Sequence, residues 1–74
     1  MQSNEFDWGE AVIVSPDACK EYRPSSIADV VGMIFINTPQ LAHNFNVKLN
    51  TWVYTIEYTD GSSIELPEMF LQKQ

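Results

Sequence analysis

The residues that could carry catalytic chemistry are few. Cys19 is the only cysteine and His43 the only histidine, so a zinc site with Cys and His ligands cannot be assembled within one chain. A Cys19 nucleophile activated by His43 is formally possible, but both fall in predicted loops with no third group to orient them. The three glycines lie too far apart for a phosphate-binding loop. The sequence therefore predicts a protein that is not an enzyme and that binds no metal or cofactor.

Charge is the strongest compositional feature. Ten carboxylates stand against four basic residues, and the net charge is -6. Nucleic acids are bound largely through Lys and Arg at phosphates, so this balance opposes nucleic-acid binding and favours a basic protein partner. An alternative is that the acidity serves only to keep a small protein soluble. The predicted partner-binding residues are Glu57, Glu65, Asp60 and Glu68 on or near one hairpin, with Glu21 and Tyr22 in a long loop.

The size and composition predict one small domain. A chain of 74 residues buries only a thin core, so marginal stability or homo-oligomerisation is expected. We expect residues 1–7 to be a flexible N terminus and residues 8–74 to form the domain, although Phe6 and Trp8 could dock on that domain. The lone cysteine and the absence of an apolar leader favour the cytoplasm, and no apolar run is long enough to span a membrane.

The clearest structural pattern is a hairpin from Trp52 to Pro67. A two-residue loop at Asp60-Gly61 would mix apolar and charged side chains on both faces. A three-residue loop, Thr59-Asp60-Gly61, instead pairs Ile56 with Ile64 and Tyr54 with Leu66 on one face. We therefore predict a left-handed Gly61 in a bulged turn, an apolar core face, and an opposite face that carries Glu57 and Glu65.

Shorter patterns outline the other elements. We predict a strand over Trp8–Ser15, a long polar loop, and a buried strand over Ile27–Asn37 with a bend or bulge at Gly32. A competing interpretation of the start of that strand is a short helical turn capped by Ser26. We predict a single helical turn within Thr38–Asn46, with a loop as the alternative, and an extension of the hairpin strand over Val47–Asn50. The remaining predictions are a 3₁₀ turn over Pro67–Phe70 and a last short strand at Leu71-Gln72.

This order of elements resembles the SH3-like β-barrel superfamily. The resemblance rests on Gly9-x-x-Val12-x-Val14, a loop with Pro24, Val31-Gly32-Met33, the hairpin around Asp60-Gly61, and Leu66-Pro67-x-x-x-Leu71. It implies an all-β, five-stranded barrel with a long first loop and a 3₁₀ turn near Pro67. SH3, KOW and Tudor-like modules and the barrel domain of nitrile hydratase β subunits share that layout. The peptide-binding motif of SH3 domains and the basic residues of KOW modules are both missing here.

Together these observations predict a small acidic protein-interaction module that binds a basic protein partner, such as an inhibitor or an immunity protein that neutralises a toxin enzyme. The alternative is an accessory subunit that stabilises a larger enzyme assembly through apolar contacts, as the resemblance to nitrile hydratase barrel domains implies. The two predictions differ in whether charged or apolar contacts dominate the interface.

Overall fold

The computed structural model describes residues 5–74, which form an antiparallel sheet of five strands. The strands are β1 (Ala11–Val14), β2 (Ile27–Ile36), β3 (Thr51–Tyr58), β4 (Ser63–Pro67) and β5 (Leu71–Lys73). One α-helix, α1 (Pro39–Phe45), and two 3₁₀ turns, Lys20–Tyr22 and Glu68–Phe70, connect them. The strand order is β4-β3-β2-β1-β5, so β4 and β5 are the edge strands of an open sheet. The all-β prediction is confirmed at this level.

The predicted register of the hairpin is confirmed. Ile56 pairs with Ile64, and Tyr54 pairs with Leu66. The Gly61 N–H donates to Tyr58 O at 3.0 Å, and the Tyr58 N–H donates to Ser62 O at 2.8 Å, which closes a three-residue loop. Gly61 has φ +88°, a conformation that glycine adopts without steric cost.

β2 is a strand throughout, so the competing helical turn at Ser26 is wrong. The bulge predicted at Gly32 is confirmed, because the register with β3 shifts between Val30 and Gly32. Before the shift Val30 pairs with Ile56, and after it Met33 pairs with Tyr54. Val31 is the extra residue, so Val30 before the bulge and Met33 after it both lie opposite core residues of β3.

The main core lies on one face of the sheet. It holds the buried side chains of Phe6, Val12, Val14, Ala18, Ala28, Val30, Tyr54, Ile56, Tyr58, Leu66 and Leu71. Phe6 falls within the predicted flexible N terminus, yet it is only 1% exposed and contacts Tyr54 edge to face. Residues 1–4 of that predicted segment lie outside the described residues.

Two strand predictions need correction. The first strand begins at Ala11 rather than at Trp8, because residues 7–10 form a turn in which Glu10 N–H donates to Asp7 O at 3.1 Å and Gly9 has φ +78°. The predicted strand extension over Val47–Asn50 is wrong. Asn50 has φ +62°, which is incompatible with a strand, and its N–H donates to Ile36 O at the end of β2.

The helical turn, the second 3₁₀ turn and the last strand were predicted correctly, although the helix is longer than the predicted single turn. Thr38 caps α1 by accepting a hydrogen bond from Leu41 N–H, Pro39 is its first residue, and a left-handed Asn46 ends it. The Glu68–Phe70 turn carries the chain from β4 to β5 across the end of the core.

Candidate protein-binding surface

Three carboxylates on neighbouring strands form a surface that we call the acidic stripe: Asp29 on β2, Glu57 on β3 and Glu65 on β4. Asp29 is directly opposite Glu57. Glu65 is opposite Thr55, two residues before Glu57, and is therefore a diagonal neighbour of Glu57. Directly opposite side chains share a face of the sheet, and here it is the face away from the core. All three side chains are exposed, and the stripe spans two strand spacings, about 10 Å.

No carboxylate of the acidic stripe forms an ion pair with another described residue. Within residues 5–74 the one ion pair joins Arg23 to Asp60, neither of which belongs to the stripe. The three lysines are exposed and occupy the first 3₁₀ turn, the segment before β3, and the edge strand β5. Asp29 and Glu57 are like charges directly opposite one another, an arrangement that destabilises a sheet, and the stripe concentrates negative charge on this face.

The Asp60 side chain is hydrogen-bonded within the hairpin loop. Its carboxylate accepts hydrogen bonds from Ser62 N–H at 3.0 Å and Ser62 Oγ at 2.6 Å, and it forms a 3.0 Å ion pair with Arg23. The hydrogen bonds from Ser62 are the main reason that the pKa of Asp60 falls to about 2, and Arg23 lowers it further. The Arg23 guanidinium also lies 4.4 Å from the centre of the Tyr58 ring. This cluster joins the long loop to the hairpin.

The Glu68 side chain is hydrogen-bonded to Tyr54 and to the N-terminal segment. It accepts a hydrogen bond from the Tyr54 hydroxyl and another from Glu5 N–H at 3.0 Å. The Tyr54 oxygen in turn accepts from Phe6 N–H at 3.3 Å. Burial raises the pKa of the Tyr54 phenol far above its usual range, and the hydrogen bond to Glu68 raises it further, so Tyr54 stays a donor. Glu68 thus has a structural partner that the sequence did not indicate.

Glu21 and Tyr22 lie in the first 3₁₀ turn, away from the acidic stripe. Glu21 is exposed and accepts a hydrogen bond from Cys19 Sγ at 3.7 Å. Tyr22 is half-buried against Phe70, with 5.7 Å between ring centres, and its backbone oxygen accepts from the Tyr58 hydroxyl. Burial is the first cause of its raised pKa. Tyr22 and Phe70 line a cleft of about 470 Å³ that also includes Phe45 and Pro67.

The structure therefore places the six predicted residues at four locations and brings two of them, Glu57 and Glu65, together. It adds Asp29, which sequence reasoning missed. Placing Asp29 beside Glu57 requires the register between β2 and β3, and the bulge at Val31 breaks the simple parity count. In the sequence, Asp29 interrupts an apolar strand. That pattern indicates that the Asp29 side chain points outward, but it does not indicate which residue of the neighbouring strand lies opposite.

Among residues 5–74, no three side chains of His, Cys, Asp or Glu are grouped so that they could hold a metal ion. In the same part of the chain no helix has the length and apolar character needed to cross a membrane. Comparison with known proteins returns no matching family model, no similar curated protein and no similar solved structure.

Proposed function

We propose that this chain is a small, non-enzymatic protein-interaction module that binds a basic protein partner through the acidic stripe. The observation that carries the proposal is the direct opposition of Asp29 and Glu57, with Glu65 beside them and no ion pair to any of the three within residues 5–74. In the free protein these charges repel one another. A cationic partner surface placed over them relieves that repulsion and gains favourable Coulomb energy, so the arrangement favours binding over stability of the free domain.

An SH3-like barrel is part of this proposal. Its support is the antiparallel meander β2-β3-β4, the 3₁₀ turn after β4, and the return of β5 to pair with β1. In such a fold the outer surface of the meander, which here carries the acidic stripe, is open to a partner. A small inhibitor or an immunity protein is a concrete form that fits the size and the net charge of -6.

The test compares two double variants with the same change in net charge. Asp29→Asn/Glu57→Gln removes the directly opposite pair, whereas Glu5→Gln/Asp17→Asn removes two exposed carboxylates outside the acidic stripe. Each variant and the unmodified protein are used to capture partners from an extract of the source cells, and the captured protein is then titrated by calorimetry.

We expect the captured protein to be basic and to lose affinity for the stripe variant by about fivefold or more at low ionic strength, with little change for the control variant. The difference should shrink at physiological ionic strength, where the Debye length is about 8 Å. Equal affinity of the two variants, or a complex insensitive to salt, would overturn the proposal.

One observation favours the alternative role as an accessory subunit. Met69 is 75% exposed in the second 3₁₀ turn, and Leu49 is 47% exposed before β3. If apolar contacts of this kind hold the chain in a larger assembly, the complex should be insensitive to salt and should be weakened by Met69→Ala rather than by changes in the acidic stripe. The same calorimetric titrations separate the two functions.

A further inference from the structure

The most exposed aromatic side chain of the described residues lies in the turn before β1, which is hydrogen-bonded to β2 one residue after Asp29. Trp8 is 69% exposed, although tryptophan is usually largely buried. It lies three residues before Ala11, which pairs with Asp29, so at most about 11 Å of chain separates the Cα atoms of Trp8 and Ala11. An indole left in water at this place has no evident role in the fold, because the core is formed without it.

The turn that presents Trp8 is well fixed. Glu10 N–H donates to Asp7 O at 3.1 Å, and Glu10 Oε1 accepts from Asp7 N–H at 3.1 Å. Gly9 N–H donates to Val30 O at 2.8 Å, and Val30 N–H donates to Glu10 O at 3.0 Å, which joins the turn to β2 beside the bulge. Because the backbone of this turn is already fixed, only the side-chain rotamer of Trp8 has to be ordered when it enters an interface.

We propose that Trp8 is the aromatic anchor of the partner interface and that the partner presents an arginine next to an apolar side chain. This inference rests on the proposed function, since it names the partner chemistry at the same surface. Glu10 lies in the same turn as the anchor, and Asp29 lies opposite Ala11 in register; the negative charge of these two carboxylates favours a cation. A guanidinium stacks on the face of an indole, and an apolar neighbour buries the rest of the ring. Exposed Val31, at the bulge next to Val30, extends the apolar contact.

The test uses a helix-forming peptide of leucine and arginine, with leucine on one face, as the probe. A second peptide has glutamine in place of every arginine. The protein variants are Trp8→Ala, Trp8→Phe and the control Leu49→Ala, which truncates another exposed apolar side chain near the far end of β2. Affinities are measured by calorimetry. The tryptophan emission of the unmodified protein is compared with that of Trp8→Phe, in which Trp52 is the only remaining tryptophan.

With the arginine peptide we expect the emission of the unmodified protein to move to shorter wavelength, and we expect no such shift in Trp8→Phe. Trp8→Ala should weaken binding roughly 30-fold, as for an interface hot spot, whereas Trp8→Phe should lose less and Leu49→Ala less than about twofold. The glutamine peptide should bind at least about tenfold more weakly than the arginine peptide.

The outcomes separate this inference from the proposed function. If the arginine peptide fails to bind, or if Trp8→Ala and Leu49→Ala behave alike, the inference about Trp8 is wrong. The proposed function can hold even if the inference about Trp8 is wrong. In that case Asp29→Asn/Glu57→Gln still weakens binding of the captured protein to the acidic stripe. If that captured protein is indifferent to the acidic stripe, the proposed function fails, whatever the result at Trp8.

Discussion

Replacing a carboxylate of the acidic stripe by its amide should make the free protein more stable, and the gain should be largest at Glu57. Asp29 lies directly opposite Glu57, and Glu65 lies diagonal to it. Glu57→Gln therefore removes two repulsions, whereas Asp29→Asn and Glu65→Gln remove one each. The expected order of stability is Glu57→Gln first, Asp29→Asn second and Glu65→Gln third, with the unmodified protein last.

The magnitudes follow from the sheet geometry. Two unit charges on directly opposite residues, about 5.5 Å apart, repel by about 0.8 kcal/mol in water, and at the diagonal distance of about 7.5 Å by about 0.6 kcal/mol. Glu57→Gln should therefore stabilise the protein by about 1.4 kcal/mol at low ionic strength. A gain of 1 kcal/mol raises the melting temperature of a domain of this size by roughly 4–8 °C. At an ionic strength of 1 M the Debye length is about 3 Å, so most of the gain should vanish.

Urea unfolding of the three single variants at low and at high salt measures these differences. Asp17→Asn is the control, because Asp17 is exposed and its replacement reports the general effect of lowering the net charge. The double variant Asp29→Asn/Glu57→Gln should gain less than the sum of its single changes, since both remove the same repulsion. A destabilised Glu57→Gln, or gains that persist in 1 M salt, would refute the assignment of a repulsive stripe.

Three further predictions concern the residues that hold the site in place. Gly61→Val should cost about 1–3 kcal/mol in urea unfolding through backbone strain alone, because a Cβ at Gly61 meets no atom within 4 Å; an unchanged midpoint would contradict the left-handed loop. Tyr54→Phe should cost about 1–3 kcal/mol and speed hydrogen exchange at the Phe6 amide, since it leaves that amide and Glu68 without their shared partner; unaltered exchange would show that the N-terminal segment is held by other contacts. Asp60 has its pKa at about 2 in the folded protein, below the ordinary 3.8, so its stabilising effect is complete above pH 4 and is lost as the pH falls toward 2. Thermal melts of Asp60→Asn should therefore approach those of the unmodified protein as the pH is lowered through that window, and a constant difference in melting temperature would contradict the ion pair and hydrogen bonds at Asp60.

Local pattern was enough to predict the hairpin but not the surface built upon it. The register of β3 with β4 depends on a loop of three residues, and side-chain parity determines it as soon as one face must be apolar. The pairing of β2 with β3 joins residues on either side of α1, and no turn of known length relates them. Gly32 indicates a bend or bulge in β2. Which residue is the extra one, and which side chains therefore face the core, depends on how β2 and β3 pack together. Asp29 could not be placed for that reason.

The N-terminal residues illustrate a second limit. The sequence predicts a strand that begins at Trp8, because an apolar run follows, and a flexible terminus that includes Phe6, because its neighbours are polar; it leaves open that either aromatic docks on the domain. In the structure Phe6 is buried and Trp8 is exposed. Phe6 is held by Tyr54, 48 residues away in sequence, whose ring it contacts edge to face and whose hydroxyl accepts a hydrogen bond from the Phe6 amide. A contact between residues so far apart leaves no periodic signal in either segment.

The bulge in β2 links the core to the acidic stripe. Before it, alternate side chains place Val30 in the core and Asp29 outside; after it, Met33 is opposite Tyr54 on the core face. A regular strand in the first register would turn Met33 outward, and a regular strand in the second would turn Asp29 inward, because a shift of one residue exchanges the two faces. Gly32 keeps the bulge close to β3, since a Cβ there would meet Thr55 Oγ1 at 3.3 Å. One extra residue thus lets β2 contribute apolar side chains to the core at both ends and still present a carboxylate beside Glu57, next to the turn that carries Trp8.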